Sequence, residues 1–432
     1  MPPILRAQTP PPLPNLQDAA ALGADLYQRS GAVGLVLVVV RGNHAWFHGY
    51  GETAPGSGHA PDEESVIRLC SLTKIFTTDL LTKLAAGKTV RLDDTLASYA
   101  PAHAIIPEKT QPITLEDLAT HTAGLPREVG TGPRGTPHFT YPDYQTRWQW
   151  LATQHLKTVP GTAALYSNIG FDLLSDALAV AAHKPYASLL AERTLNPLKM
   201  YETTFYPNPS QCARLLQSIG DEGPCTVTDE TEGSSGLYST PREMAVWLKY
   251  LLGTDIPALP AQDKAAQAVY LEPASLVSKQ GLDHAGTPTG IGLGWMHLLP
   301  ASDPSHIIQK TGGGAGFTTY IAINQSRKTA IFLAATDGIR TDGNFSLFKS
   351  ANNFLLTMAG LPLIPPEPPK PAPRSAHSKR RGPRRASNKP ERAKPEHATP
   401  RQATPKGSKS RHAKSRHTRP HHAPKSQAQP QN

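Results

Sequence analysis

Ser71-Leu72-Thr73-Lys74 opens a segment, Lys74 to Ala86, whose composition is strongly helical. Residues three apart on a helix share a face at about 5–6 Å, so the Ser71 hydroxyl and the Lys74 amine are neighbours by geometry. Alone the pair is a common coincidence that a solvated helix start explains. Here it is answered downstream by Tyr166-Ser167-Asn168 and then by Lys310-Thr311-Gly312. Hydroxyl, amine, phenol, amide and second amine, in that order, point to acyl transfer by a serine that needs no histidine base.

Outward from this stretch the chain alternates between sheet and helix signals. Leu16 to Arg29 has helical apolar spacing and stops at Ser30-Gly31, a C-terminal cap pattern. Ala32 to Val40 is aliphatic and β-branched, and a Gly42-Asn43 turn leads to His44 to Tyr50, which predicts a hairpin of two buried strands before the Ser71 helix. From about Leu92 to Thr226 the reading is mainly helical, with a capping pattern at Thr114 and Asp117 and helical period in Pro142 to His155, Ile169 to Ala182 and Tyr186 to Leu195. Thr240-Pro241 starts another helix, Arg242 to Leu252. Strands return at Ile307 to Lys310, Thr318 to Asn324 and Thr329 to Ala335, and Phe345 to Ala359 closes as a helix. A helical lobe inserted into a sheet domain follows from this order.

Composition divides the 432 residues further. From Pro365 to Asn432 there are 18 Lys and Arg against 3 Asp and Glu, so that segment carries +15 of a chain whose net charge is +10, and Met1 to Ile364 carries −5. The tail has almost no large apolar residue and is expected to be disordered, because it cannot bury enough surface to offset chain entropy. The basic charge therefore belongs to the appendage, and nucleic-acid binding by the remainder has no support. Met1 to Asn15 is Pro-rich, carries only Arg6 and lacks the apolar core of a secretory signal; either export does not use that route or the true start lies upstream of Met1. No apolar run approaches the ~20 residues of a membrane-spanning helix. Three cysteines are too few for a disulfide scaffold; Cys212 and Cys225 flank a short polar loop and form either a local bridge or two thiols. Cys70 is read as a packing residue.

Each motif residue has a chemical assignment. Ser71 is the candidate nucleophile, which needs a neighbour to take its proton. Lys74 is placed for that once burial and a second cation, Lys310, lower its pKa; Tyr166 is the rival, a phenol whose anion two ammonium groups would favour. The two are assigned jointly. Asn168 is expected to bond Lys74 and a substrate amide carbonyl. Lys310-Thr311-Gly312 falls on a strand read as an edge, with Lys310 and Gly312 on one face and Thr311 on the other; Thr311 and Gly312 are the substrate-binding candidates, and the glycines let an extended peptide lie close. The backbone N–H groups of Ser71 and Gly313 are proposed as the oxyanion hole. Glu192 to Asn196 spells Glu-x-x-Leu-Asn, a motif found in one type of serine β-lactamase, and is rejected as the end of an amphipathic helix. His121 is read as a structural hydrogen-bonder below the site.

With these residues in place the chain resembles the class C β-lactamase and low-molecular-weight penicillin-binding protein superfamily over about Leu16 to Leu363, and most of all its AmpH type of D-alanyl-D-alanine carboxypeptidase/endopeptidase. Further carriers of the resemblance are Leu118 to Glu128, Gly236 to Pro241, Gly292 to Trp295 and Gln309 to Phe317. It implies an α/β (α+β) fold of the β-lactamase/transpeptidase kind, an antiparallel sheet flanked by helices with an all-helical lobe inserted at about 92–226 of a 16–364 domain. It also implies an acyl-serine intermediate, no metal and no organic cofactor, and the roles given above for Ser71, Lys74, Tyr166, Asn168, Lys310 and Gly313. The cysteine pair resembles one in AmpH-type proteins, which favours an oxidising periplasm. Peptidoglycan peptides and β-lactams are the implied substrates, with acidic envelope polymers as partners of the tail. The motifs do not separate peptidase from β-lactamase or from an esterase of the same fold.

Overall fold

The computed structural model describes residues 15–220, 223–254, 261–282, 285–336 and 345–365. Apart from Asn15 and Pro365, the Pro-rich N-terminal segment and the basic tail of the sequence reading lie outside these residues.

A seven-stranded sheet is built from β1 (Gly34–Arg41), β2 (His44–Gly51), β7 (Pro288–Ile291), β8 (Met296–Leu298), β9 (Ile307–Gly314), β10 (Phe317–Asn324) and β11 (Thr329–Thr336). Its order is β2-β1-β11-β10-β9-β8-β7 and every neighbouring pair is antiparallel. Short ribbons pair β3 (Ile67–Arg68) with β5 (Tyr238–Ser239), and β4 (Ala164–Leu165) with β6 (Lys279–Gln280). The unbroken apolar run of β1 and of β11 has a cause in the layering, since both faces of these strands are covered. Leu35, Leu37 and Val39 face one core with Leu26 of α1 (Ala19–Ser30) and Leu355 of α9 (Leu347–Ala359). Val36, Val38 and Val40 face the other with Phe76 of α2 (Thr73–Ala86) and Trp247 of α8 (Pro241–Leu252).

Two expectations change. β2 is not buried: it is the edge of the sheet, and most of its side chains are exposed or half-exposed. β9 is not an edge strand along its whole length, because β8 pairs with it at Ile307, Ile308 and Gln309; that ladder ends before Lys310. The hairpin, the Gly31 cap at φ +71° and the Thr114–Asp117 capping box are as the sequence reads.

The α2 helix is buried on all sides, as a helix in the middle of a layered fold must be. Its polar side chains are therefore matched internally. Thr77 Oγ1 donates to Gly233 O at 2.7 Å, and Asp79 receives Tyr250 Oη at 2.7 Å, Thr194 Oγ1 at 2.9 Å and Lys83 Nζ at 2.8 Å. Phe76 stacks on Trp247 at 4.0 Å between centroids, fixing α2 against α8. The helical lobe contains α3 (Leu115–Ala119), α4 (Tyr144–Leu151), α5 (Asn168–Ala181), α6 (Tyr186–Leu190) and α7 (Pro209–Ala213), with a wider turn at Ala191–Leu195 continuing α6. A buried bidentate pair, Arg147 to Asp176 at 2.6 and 2.8 Å, pins α4 to α5. These contacts fix α2 against α8 and α5 against α4, and the motif residues lie at the N-terminal ends of α2 and α5 and on β9.

Candidate active site

Ser71 sits in a tight 3-10 turn, Cys70–Leu72, just before α2. Cys70 takes φ +52°, a left-handed conformation that costs a non-glycine residue about 1 kcal/mol or more. The turn is held by its surroundings: Leu69 N–H donates to Leu237 O at 2.8 Å, Thr319 Oγ1 to Leu69 O at 2.9 Å, and Cys70 Sγ to Gly314 O at 3.4 Å. Burial pushes the Cys70 thiol up to about 12, so it is no second nucleophile.

Lys74 is 0 % exposed, and its Nζ reaches Ser71 Oγ at 3.4 Å, Asn168 Oδ1 at 2.6 Å and Ser234 O at 2.9 Å. Burial lowers its pKa most; the Tyr166 charge opposes that and the Lys310 charge adds to it. Lys310 is equally buried on β9. Lys74 Nζ and Lys310 Nζ each stand 5.0 Å from the centroid of the Tyr166 ring. Arg127 adds a third cation at 4.6 Å.

The middle motif does two jobs. Ser167 caps α5, its Oγ accepting from Gly170 N–H at 2.9 Å, while Tyr166 and Asn168 on either side turn to Lys74. His121 lies beneath, its ring 4.3 Å from that of Tyr166 and its Nδ1 accepting the Ser167 N–H at 3.1 Å. Burial first, then the charges of Lys74, Lys310 and Arg127, depress its pKa well below the usual histidine value and keep it neutral.

Lys310 and Gly312 are buried on β9 with Thr311 half-buried between them, and Gly312 lies against Ser71. A Cβ on Gly312 would stand 2.2 Å from Thr319 Oγ1, 2.9 Å from Leu69 O and 3.2 Å from Ser71 N. Only glycine lets the strand come this close. Gly313 follows, exposed, at the open end of β9.

Cys212 and Cys225 are joined as a disulfide with Cα atoms 5.6 Å apart. Glu192 is taken up at the surface by Lys184 and by Arg193, at 3.3 Å from the latter. Sequence reading missed four contributors. Ser234 acts through a carbonyl and Thr319 through a strand partner, neither of which has a sequence signal. Asp172 is four residues after Asn168 on one helical face, a spacing that does signal it; burial raises its carboxyl to about 7 beside Lys74. Glu128 Oε1 accepts from Asn168 Nδ2 at 2.5 Å, a contact set by a loop and unreadable from spacing.

The geometry is that of a buried, amine-flanked serine site chemically fit for nucleophilic acyl transfer. The chain is 42 % identical over 312 residues to the D-alanyl-D-alanine-carboxypeptidase/endopeptidase AmpH of Escherichia coli strain K12, covering 72 % of this chain and 81 % of that one. The structure of a β-lactamase/D-alanine carboxypeptidase from Yersinia pestis, solved with citrate, superposes with a TM-score of 0.74 at 39 % identity over 80 % of this chain and 99 % of that one. A class C β-lactamase shares the fold at 19 % identity and a TM-score of 0.64, over 79 % and 94 % of the two chains. Residues 19–346 match the Beta-lactamase family, and the chain belongs to it.

Proposed function

We propose that the protein is a serine hydrolase that cleaves the D-alanyl-D-alanine bond of peptidoglycan peptides as a carboxypeptidase/endopeptidase and is acylated by β-lactams. The observation that carries this is Lys74, a buried amine that bonds Ser71 Oγ and Asn168 Oδ1 at once beside Tyr166. The likeness to an AmpH carboxypeptidase/endopeptidase supports the substrate class.

Ser71 Oγ attacks the carbonyl carbon of the penultimate D-alanine, and its proton passes to Lys74 and Tyr166 acting as one unit. The backbone N–H groups of Ser71 and Gly313 stabilise the oxyanion. Collapse of the tetrahedral intermediate breaks the C–N bond, the leaving amine takes the proton, and water then hydrolyses the acyl-serine. Lys310 and Thr311 receive the terminal carboxylate, and Gly312 admits the peptide backbone alongside β9. The unit doing this is residues 16–364, with a helical lobe at about 92–226, and its place of action is the periplasm.

Intact-mass measurement after adding a penicillin, together with D-alanine release from a muropeptide, tests the reading. A lasting adduct that Ser71→Ala abolishes, with release abolished in the same variant, is expected; full labelling of Ser71→Ala would overturn it. Rapid return to native mass would identify a β-lactamase instead. The basic segment 365–432 is proposed to hold acidic envelope polymers. Its deletion should leave turnover of a small soluble substrate unchanged and weaken envelope binding most at low salt; lost turnover, or undiminished binding at low salt, would refute that role.

A further inference from the structure

Arg68 stands on β3, three residues before Ser71, and is 1 % exposed. A guanidinium so deep in the fold needs compensating partners. Among the described residues its hydrogen bonds go to two backbone carbonyls, Nη2 donating to Pro224 O at 2.8 Å and to Gly223 O at 3.3 Å, while Nε and Nη1 have no hydrogen-bond partner. The Tyr238 ring takes part of the remaining charge, with Arg68 Cζ 5.3 Å from its centroid. None of the acyl-transfer steps uses this cation.

Both carbonyls lie on a segment that the Cys212–Cys225 disulfide ties down. Pro224 precedes Cys225, and Thr226 on its other side gives its N–H to Tyr238 Oη at 3.4 Å and receives that hydroxyl on its own carbonyl at 3.1 Å. Cys212 belongs to α7, whose end is bonded to the chain just before β3: Val66 N–H donates to Arg214 O at 2.8 Å, and Leu216 N–H to Val66 O at 3.0 Å. The bridge thus closes a ring that runs from Val66 through α7 to Pro224 and returns to β3 through the Arg68 guanidinium. Beyond Arg68, Leu69 and Cys70 lead into the turn that presents Ser71. Opening the bridge takes this anchor from Gly223 and Pro224. A buried cation deprived of its acceptors must draw β3 outward or leave for water, and either movement shifts the turn.

We propose that Arg68 is a positioning residue for Ser71 and that the Cys212–Cys225 disulfide holds it in place, so that reduction of the bridge slows acylation. The inference rests on Ser71 being the acylated nucleophile. The reductant is a dithiol: one of its thiolates displaces a cysteine sulfur, its second displaces the first from the mixed disulfide, and two protons and two electrons pass to Cys212 and Cys225 while the dithiol ends as a cyclic disulfide. It is tested with a chromogenic β-lactam, by stopped-flow measurement of the limiting acylation rate and of the apparent dissociation constant before acylation. The full chain is used oxidised, then after dithiothreitol treatment that raises its thiol content by the bridge's two sulfurs, since Cys70 is already free.

Since a displacement of about 1 Å at a reacting centre costs on the order of 100-fold, a partial shift of the turn should lower the limiting rate by about tenfold. Reoxidation should restore it, and Cys212→Ser/Cys225→Ser should match the reduced enzyme without any reductant. Arg68→Met removes the charge at similar length; it should start at the lowered rate and give a reduced to oxidised ratio of about one, because two changes acting through one contact do not add. Arg68→Lys keeps a donor for Pro224 O and should recover part of the oxidised rate and of the response to reduction. An unchanged limiting rate in the reduced native enzyme overturns the proposal, as does an effect confined to the dissociation constant. So does an equal loss on reduction in native and Arg68→Met enzyme, which would mean that the bridge acts on the fold at large. Absence of acylation in the oxidised enzyme overturns the acyl-serine reading, and this inference with it.

Discussion

A methyl group at Gly312 is the smallest perturbation that tests how the strand and the nucleophile are held together. In Gly312→Ala the new Cβ falls 2.2 Å from Thr319 Oγ1, about 1 Å or more inside contact distance, and 2.9 Å from Leu69 O. Thr319 must turn away, which breaks its 2.9 Å bond to Leu69 O and leaves that carbonyl with the Leu72 N–H at 3.1 Å in place of two donors. A lost buried hydrogen bond costs about 1–2 kcal/mol and overpacking a further 1–3 kcal/mol, so the variant should lose about 2–5 kcal/mol of stability. Relief by moving β9 outward instead shifts Gly313 and Lys310 from Ser71, and a displacement of about 1 Å at a reacting centre costs on the order of 100-fold in rate. Urea unfolding followed by tryptophan fluorescence measures the first effect, and the rate of acylation by a chromogenic β-lactam the second. Thr319→Ala in the same background removes the worst clash and should restore part of the stability without restoring the rate, since Leu69 O and Ser71 N still crowd the methyl. A Gly312→Ala enzyme with native stability and acylation would refute the claim that this close approach builds the site.

Lys74→Ala and Tyr166→Phe should each slow acylation by orders of magnitude, and the double variant should be little worse than either, because groups that pass one proton fail together; stopped-flow labelling of the three variants checks this, and additive losses would assign separate roles. Asp172 gives a pH test. Its folded pKa of about 7 lies above the unfolded value, so between about pH 4 and 7 the native state binds the extra proton and stability falls as pH rises, by up to roughly 1 kcal/mol per unit, levelling above 7. Asp172→Asn should flatten that slope in denaturation curves taken across this range, and an unchanged slope would show that another group sets it.

What could be read from the sequence follows from where each kind of signal resides. Helical spacing joins Ser71 to Lys74, and the pleat joins Lys310 to Gly312, because in both the periodicity of one element fixes which side chains are neighbours. The aliphatic run of β1 announces burial on both faces, and β11 repeats it. His44 to Gly51 carries Trp46, Phe47 and Tyr50 and yet lies at the sheet edge, since a strand's place in the order is set by the partners on its far side and not by its own residues. The limit of the Tyr166-Ser167-Asn168 reading has the same origin. Its residues announce a helix cap and two polar groups, but which groups meet Asn168 is decided by Arg127 O and Glu128, forty residues away in the chain and brought in by the backbone of a loop. Loops lack a period, so the contacts they make are legible only once the elements that hold their ends are placed. The Ser71–Lys74 and Lys310–Gly312 relations are accordingly written in a helix and a strand, whereas Arg127 and Glu128, which meet Tyr166 and Asn168, stand on a loop over that fixed frame.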